Sequence, residues 1–389
     1  MNIVLFTHPK FLKHQSMPRF AQMIADGMEQ RGHRVAIRSP TSIFSKLPLP
    51  ASLKKWMGYV DQYLIFPVII WQKLRRDPKE TLFVFADQAL GPWVPLVKDR
   101  SHVIHCHDFL AQFSANDEIN ENKVSYAGKI YQQFIRWGYT KGNAFISVSK
   151  KTQGDLHYFL NSQPAVSEVV YNGVNPLYKK EDIALARKRL YETVGVNVEN
   201  GYLLHVGGNQ WYKNRIGVLE IFNSWRSSSN IKLPLLMIGE KPDDLLLHRY
   251  SQSPFKSDIH FLSDIKDEDV KHAYAGANLF VFPSYAEGFG WPIAEAMACG
   301  CPVLTTDESP MTEVGGDAAF LIPRRPSGES THWSEVVAEK VRKIINLSEG
   351  ELKSVVDASV LNASRFNQTT ALDKIEEIYL RVLKNGVHT

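Results

Sequence analysis

Cysteine is scarce in this sequence. Its 389 residues include three cysteines, Cys106, Cys299 and Cys301, and so small and odd a number excludes a disulfide framework. Cys299 and Cys301 flank Gly300, but no histidine lies beside them in the sequence to complete a metal site. We therefore expect buried thiols and a protein of the reducing cytoplasm.

Long apolar runs are also absent. The most apolar segment, Leu64 to Trp71, is far shorter than the roughly 18 residues that suggest a membrane-spanning helix. The opening residues MNIVLFTHPK have no basic residue before their apolar stretch, so they predict a first strand and not a signal peptide. Internal repeats and low-complexity segments are likewise missing from the sequence.

Charge is distributed unevenly along the chain. Residues 1–180 hold 23 Lys and Arg against 13 Asp and Glu, and the remainder holds 22 against 28. The first part thus carries +10 and the second −6. A basic half suits an anionic partner, such as phospholipid headgroups or a phosphorylated acceptor. We do not expect nucleic acid to bind, because no recognised nucleic-acid motif accompanies the basic residues.

Short β-branched runs alternate with longer amphipathic stretches, which indicates βαβ units around parallel sheets. The strands predicted in the first half are 3–7, a run after Gly32, 82–86, 102–106, 144–149 and 169–174. Those predicted in the second half are 201–208, 233–239, 259–262, 279–283, 302–306 and 318–322. A charged segment over 178–200 separates the two series.

The sequence therefore predicts an α/β protein with two Rossmann-like, doubly wound domains. Its length, with 44% hydrophobic and 22% charged residues, is ordinary for two such domains. We place the first over residues 1–175 and the second over 176–370, and we expect the final helix, within 371–389, to pack back on the first. Ligands of such sheets bind at the carboxyl ends of strands, so the two domains should face across a cleft.

The most informative stretch is FPSYAEGFGWPIAEAMACGCPVL, over 282–304. A predicted strand ends at Pro283, a glycine-containing loop follows, and Pro292 marks the start of a helix. Backbone amides at Gly288 and Gly290, with the positive end of that helix, suit a phosphate. A carboxylate behind them can accept two hydrogen bonds from the vicinal hydroxyls of a ribose.

In this context the sequence resembles the retaining glycosyltransferases of family 4, which have the GT-B fold. Their hallmark is two glutamates separated by seven residues, and Glu287 and Glu295 have that spacing within EGFG, EAMACG and CPV. The resemblance implies that Glu295 binds the nucleotide ribose and that Glu287 lies near the donor sugar. It also implies that the backbone amides of Gly288, Phe289 and Gly290 bind the sugar and diphosphate.

A second stretch, HVGGNQWYKNRIGVLEIF over 205–222, resembles the family segment in which an arginine and a lysine hold the donor diphosphate. Lys213 matches the lysine, in a loop that opens with Gly207. The resemblance thereby makes Lys213 and Glu287 predicted catalytic residues. The arginine is missing, because Gly208 and Asn209 occupy its place. Either Arg215 reaches over or Asn209 substitutes through a neutral hydrogen bond.

In the first half, VIHCHDFLA resembles the family segment with a histidine at the cleft, which makes His107 a predicted catalytic residue. Because side chains alternate along a strand, we expect His105 to point away from it. The family's Gly-Gly pair before the first helix is absent here. His8, His14 and Ser16 are the candidates to replace its contacts.

Two further segments have alternative interpretations. Asp267 to Asp269 fits the D-x-D metal motif of another glycosyltransferase fold, but three acids also suit a helix N-terminus, and we predict no metal and no other cofactor. Residues 44–76 are rich in aromatic and basic side chains. They suit either an ordinary buried helix or an interfacial membrane surface for a lipid-linked acceptor, at the inner face of the plasma membrane.

The resemblance implies transfer of a sugar from a nucleotide-sugar donor to a glycan or lipid-linked acceptor. We expect this activity to serve cell-surface polysaccharide or lipopolysaccharide synthesis. There are two alternatives: a pseudoenzyme that binds nucleotide as a scaffold, and a sugar-nucleotide epimerase of similar architecture. The absence of the arginine and the glycine pair favours the pseudoenzyme over the epimerase.

Overall fold

The computed structural model describes residues 1–12, 16–48 and 50–386. The contacts divide the chain into two compact units. Unit 1 contains residues up to Tyr171 together with the C-terminal segment from Thr369, and unit 2 runs from Asn172 to Gln368. Each unit is built on a six-stranded sheet whose paired strands are all parallel, so the predicted α/β class with two doubly wound sheets is confirmed.

Unit 1 has the strand order β2-β1-β3-β4-β5-β6. Its strands are β1 Asn2–Phe6, β2 Arg34–Arg38, β3 Thr81–Phe85, β4 His102–Cys106, β5 Ala144–Ser147 and β6 Val166–Val169. Its helices before the second unit are α1 Ser16–Gln30, α2 Ala51–Val60, α3 Phe66–Leu74, α4 Leu110–Ala115, α5 Tyr126–Tyr139 and α6 Lys150–Phe159. A π-helical turn, Asp61–Ile65, joins α2 to α3.

Unit 2 has the strand order β12-β11-β10-β7-β8-β9. Its strands are β7 Leu203–Val206, β8 Leu235–Ile238, β9 Ile259–Leu262, β10 Leu279–Phe282, β11 Val303–Thr306 and β12 Phe320–Ile322. Its helices are α7 Ile183–Val194, α8 Arg215–Ser227, α9 Asp244–Ser251, α10 Asp267–Gly276, α11 Trp291–Ala298, α12 Met311–Gly315, α13 Thr331–Ile345 and α14 Glu349–Ala363.

The last helix, α15 Gln368–Asn385, packs on unit 1. Its buried Tyr379 is hydrogen-bonded to His105 on β4 at 2.7 Å. On its more exposed side, Arg31 and His33 pair with Asp373 and Glu376. The helix is therefore joined to unit 1 by a buried hydrogen bond and by charged pairs nearer the surface.

One predicted strand is displaced along the sequence. We expect a strand over 169–174, but β6 ends at Val169. Its register is fixed by β5, since Ala144 pairs with Val166 and Ser147 with Val169. Beyond that point Val174 instead forms an isolated parallel bridge with Asn367. Residues 170–174, which we predicted as strand, therefore belong to the connection into unit 2.

Candidate functional site

In each sheet the strand order reverses at one point. In unit 2 that point lies between β7 and β10, and in unit 1 it lies between β1 and β3. Parallel sheets bind ligands in the crevice outside the carboxyl ends of the strands at such a reversal. The loops that leave β7 and β10 are the two stretches over 207–214 and 283–290, which contain most of the predicted donor-binding residues.

The two loops of unit 2 are fastened to each other. Tyr285 donates its backbone N–H to the Tyr212 carbonyl at 2.7 Å. Asn214 caps α8 by accepting the Gly217 N–H at 3.1 Å, and its amide nitrogen donates to the Pro283 carbonyl at 2.9 Å. The same asparagine therefore starts α8 and holds the loop after β10 in place.

The predicted catalytic pair in unit 2 is in direct contact. Lys213 Nζ lies 2.8 and 3.0 Å from the two carboxylate oxygens of Glu287. The side chains are only 14% and 8% exposed, and the ammonium also lies over the Phe282 ring. A mostly buried charge needs a partner, and Glu287 is that partner.

Arg215 and Asn209, the two candidates to replace the missing arginine, are bonded to each other. The buried guanidinium of Arg215 donates to the Asn209 side chain and, at 3.0 Å, to the Glu240 carbonyl. Asn209 in turn donates to the Lys241 carbonyl at 2.6 Å and accepts from Arg215. Asn209 is thus engaged by the protein, whereas Nε and Nη2 of Arg215 have no hydrogen-bond partner in the described structure.

The glycines of the first loop are surrounded by side chains. A Cβ on Gly207 would lie 3.0 Å from Nε2 of His205. A Cβ on Gly208 would lie 2.6 Å from Oε1 of Gln210 and 3.1 Å from the carboxyl carbon of Glu240. A side chain at either position would therefore displace a neighbouring side chain.

The second loop ends at a helix N-terminus. Gly290 has φ +95°, a left-handed conformation that favours glycine, and it caps α11 with Pro292 in the first turn. The side chain of Phe289 is buried and packs edge-on against Phe366, with ring centroids 5.4 Å apart. The contact with the donor predicted for Phe289 therefore falls to its backbone.

Glu295 lies just over one turn into α11, behind this loop. Tyr274 on α10 donates its hydroxyl to one carboxylate oxygen of Glu295 at 3.2 Å. Burial raises the pKa of Tyr274, so the phenol stays a neutral donor. Glu287 thus lies in the loop, and Glu295, eight positions later, is a half-buried residue of the helix.

In unit 1 the reversal point holds a histidine–carboxylate pair. His8, two residues after β1, donates through Nε2 to Asp87 at 2.8 Å, and the second oxygen of Asp87 accepts the Ala89 N–H. Both side chains are buried. Burial on its own raises the pKa of Asp87, but His8 and the Ala89 N–H outweigh it and hold that pKa below its ordinary value.

His107 lies beside this pair. Its ring donates through Nε2 to the Ala86 carbonyl at 2.9 Å. Its backbone N–H donates to the side-chain oxygen of Gln88 at 2.9 Å. Burial lowers the pKa of His107 against the opposing effect of Asp87. A pocket of about 200 Å³ is lined by Asp87, Gln88 and His107 among others.

The expected orientation of His105 was wrong. Residues i and i+2 of a strand face the same side, and the rings of His105 and His107 both pack against Phe20, at 5.1 and 4.5 Å between centroids. Of the three candidates for the first loop, His8 joins the site, whereas His14 and the side chain of Ser16 lie outside the described residues.

The acids at Asp267 to Asp269 occupy the first turn of α10. Asp269 accepts a hydrogen bond from Thr193 at 2.9 Å. Their position is that of charges at the positive end of a helix, where they are favourable.

Sequence reasoning missed Asp87 and Gln88 in unit 1, and Glu240 and Tyr274 in unit 2. Asp87 had a signal, because it follows the predicted strand 82–86 directly. Glu240 likewise follows a predicted strand. Tyr274 had none, since its contact with Glu295 joins two helices.

Comparison with known proteins agrees with this geometry. The Glycosyltransferase Family 4 profile matches residues 17–176, and the Glycosyl transferases group 1 profile matches residues 187–353. The chain is 36% identical over 123 residues to the O-antigen chain mannosyltransferase B of Escherichia coli, covering 31% of this chain and 32% of that protein. It is 25% identical over 319 residues to the O-antigen chain mannosyltransferase RfbU of Salmonella typhimurium, covering 80% and 78%.

Among solved structures, WaaG, a glycosyltransferase involved in lipopolysaccharide biosynthesis, superposes with a TM-score of 0.72 at 18% identity, covering 97% of this chain and 99% of that one. This likeness concerns the fold. The two family profiles together match most of the chain, one on each sheet. The chain therefore belongs to glycosyltransferase family 4, and its two parallel six-stranded sheets are those of the GT-B fold.

Proposed function

We propose that this protein is a retaining glycosyltransferase that moves a sugar from a nucleotide-sugar donor to a glycan or lipid-linked acceptor. The observation that carries the proposal is the Lys213–Glu287 pair at the strand-order reversal of unit 2, with the N-terminus of α11 beside it. Two relatives are named O-antigen chain mannosyltransferases, which supports a role in cell-surface polysaccharide or lipopolysaccharide synthesis.

In the proposed reaction the bond between the anomeric carbon and the diphosphate breaks, and the acceptor oxygen bonds to that carbon on the same face. The acceptor proton passes to the departing diphosphate, so no separate base is required. Negative charge grows on the diphosphate as the bond breaks. Lys213, the unpaired N–H groups of Arg215 and the backbone amides of residues 288–290 are the donors assigned to that charge, which pre-organised donors stabilise by about 3–4 kcal/mol each.

Glu287 holds the ammonium of Lys213 until the donor binds. We assign it a place beside the donor sugar, and Glu295 the ribose hydroxyls, with Tyr274 fixing one oxygen of that carboxylate. We assign His107 to the reacting sugar. No step of this reaction requires a metal or another cofactor.

We assign acceptor binding to unit 1, and with it a cytoplasmic location at the inner face of the plasma membrane. Lys54, Lys73, Arg75 and Arg76 are exposed on α2, α3 and the turn that follows, and the Arg75 guanidinium lies 3.6 Å from the centre of the Trp71 ring. Each basic residue near an anionic surface contributes about 1 kcal/mol. Within the described residues, no helix is both long and apolar enough to span a bilayer.

The activity is tested first with a thermal-shift panel of UDP-, GDP-, ADP- and dTDP-sugars. A ligand at about 100 times its dissociation constant stabilises its protein by about 2.7 kcal/mol. Transfer of the radiolabelled sugar to an extracted cell-envelope glycolipid then distinguishes the enzyme from its alternatives. Nucleotide binding without transfer would indicate a scaffold, and conversion of the donor sugar without acceptor would indicate an epimerase.

Membrane contact is tested by flotation with anionic vesicles at low salt. Reversing Lys54, Arg75 and Arg76 to Glu should abolish binding, whereas reversing the exposed Lys232, Lys241 and Lys256 of unit 2 should leave it unchanged. Lys55 belongs to the same predicted patch, but its side chain lies outside those described. Wild-type protein that ignores anionic vesicles would contradict this assignment and favour a soluble acceptor.

A further inference from the structure

A groove of about 560 Å³ lies between α5 and the segment formed by α2 and the π-helical turn. Its lining is largely aromatic and includes Trp56, Tyr59, Tyr63, Ile130, Tyr131 and Phe134. The hydroxyls of Tyr63 and Tyr131 are bonded to each other at 2.6 Å. Two of the polar groups in the wall thus satisfy one another, and ring faces and aliphatic carbons remain to meet a ligand.

The surface around this groove is also apolar. Trp56 is 60% exposed, Tyr126 80% and Ile130 50%. Further exposed apolar side chains on α2, α3, α5 and the π-helical turn are Leu53, Leu64, Val68, Trp71, Phe134 and Trp137. Large exposed apolar patches mark interaction sites in soluble proteins, and this groove suits an apolar occupant.

Charge indicates what lies next to that occupant. Among the described residues of 43–76 and 122–141, Asp61 is the one carboxylate, and it is buried, accepting hydrogen bonds from the backbone of residues 43–45. Exposed charges on the two segments are therefore basic, as at Lys54, Lys73 and Arg75. An apolar chain attached to an anionic group complements this surface.

Helix α5 links the groove to the polar pocket of unit 1. Tyr131 and Phe134 line the groove, and their neighbours Gln132 and Ile135 line the pocket that contains His107 and Asp87. The groove and the pocket therefore lie on different faces of α5.

We propose that the groove binds the hydrocarbon chain of a lipid-linked acceptor, whose anionic group is complemented by the exposed basic residues of the surrounding surface. This inference rests on the proposed function, since it names the class of acceptor. It differs from general adsorption to a membrane, because it requires one saturable site for a single chain.

The test measures binding of farnesyl phosphate, below its micelle concentration, to the full chain by tryptophan fluorescence and calorimetry. Inorganic phosphate supplies the headgroup alone and farnesol the chain alone. We expect saturable binding of farnesyl phosphate that is at least tenfold tighter than that of either part. Two variants block the groove: Ala127→Trp fills it, and Ile130→Asp places a charge in its wall. Both should weaken binding at least tenfold.

Leu64→Asp is the matched control, because Leu64 is exposed on the same surface but does not line the groove. It should weaken vesicle flotation and leave farnesyl phosphate binding within twofold of wild type. Equal losses in all three variants would overturn the proposal in favour of surface adsorption. Non-saturable binding, or a dimer that Ala127→Trp dissociates in sedimentation experiments, would also overturn it.

A nucleotide-sugar thermal shift on the same variants separates this inference from the proposed function. If nucleotide-sugars still raise the melting temperature but farnesyl phosphate does not bind, only the proposed chain site is disproved. If no nucleotide-sugar stabilises the wild-type protein, the proposed enzyme activity is disproved, whatever the groove binds.

Discussion

The strand-order reversals of the two sheets hold different chemistry. In unit 2 a lysine and a glutamate from different loops pair with one another beside a helix N-terminus. In unit 1 a histidine and an aspartate pair, with a second histidine beside them. Both pairs are shielded from water, yet the first offers an ammonium and amides to an anion, and the second offers a carboxylate to hydroxyl groups.

This difference indicates how one topology supports two kinds of ligand. The proposed reaction builds up negative charge, which needs donors that are already oriented, and we assign that role to the loops of unit 2. The lowered pKa of Asp87 keeps a hydrogen-bond acceptor ionised, and such an acceptor would repel a phosphate but hold a sugar hydroxyl. We therefore expect variants in the loops of unit 2 to affect the donor and variants at Asp87 in unit 1 to affect the acceptor, whereas His107 is assigned to the reacting sugar.

The strongest way to break the comparison is Lys213→Ala. Because the charge on the diphosphate grows as the bond breaks, turnover should fall by about 10²–10³-fold, with a smaller loss in donor affinity. Steady-state kinetics and calorimetry measure the two effects separately. Lys232→Ala, at an exposed lysine of the same unit, is the control. Turnover within about threefold of wild type would reduce Lys213 to a structural partner of Glu287.

Glu295→Ala should weaken nucleotide binding by about tenfold or more, because hydrogen bonds to a charged group contribute about 1.5–3 kcal/mol. Tyr274→Phe should have a smaller effect in the same direction, since it removes one donor to that carboxylate. Calorimetry with the cognate nucleotide measures both. The exposed Glu335→Ala is the control, and an unchanged affinity in the Glu295 variant would refute the ribose assignment.

Asp87→Asn tests the difference between the two units at the histidine–carboxylate pair of unit 1. It leaves His8 without its charged partner in a buried position, so the free energy of unfolding should fall by about 1–3 kcal/mol. The KM for the acceptor should rise while donor affinity stays unchanged. Urea unfolding and kinetics measure these effects against the exposed Asp99→Asn. A loss of donor affinity equal to that of Lys213→Ala would erase the proposed division between the units.

Acid should destabilise both units through buried neutral histidines. Burial lowers the pKa of His105 in unit 1 and of His205 in unit 2 to about 3. The unfolded chain takes up these protons below about pH 6.5, so stability is complete above that pH and is lost as the pH falls toward 3. Each histidine contributes up to about 1.4 kcal/mol per pH unit.

Denaturant unfolding between pH 7 and 4 measures this slope. His105→Gln and His205→Gln should each reduce it, in whichever unit unfolds. His332→Gln, at an exposed position, should not change it. A slope that survives both buried substitutions would assign the acid sensitivity to other groups.

The smallest expected effect is that of chelation. Transferase activity should remain within experimental error after treatment with EDTA, because the assigned donors to the diphosphate are protein groups. Activity lost to EDTA and restored by Mg²⁺ or Mn²⁺ would return attention to Asp267 to Asp269.

The sequence by itself determined the features that have local causes. The alternation of apolar runs predicted the two sheets, because parallel strands buried on both faces are short and apolar. The E-x7-E spacing placed Glu287 in a loop and Glu295 in a helix, since Gly290 and Pro292 define where that helix begins. The family resemblance rested on these same residues.

Only the tertiary structure decided which distant residues meet. Lys213 and Glu287 are 74 positions apart, and His8 and Asp87 are 79 apart, so neither contact follows from spacing. Strand order brings each pair together, because it selects which two strand ends flank the reversal point. The groove beside α5 has the same origin: the aromatic residues of 44–76 were visible in the sequence, but their packing beside α5 was not.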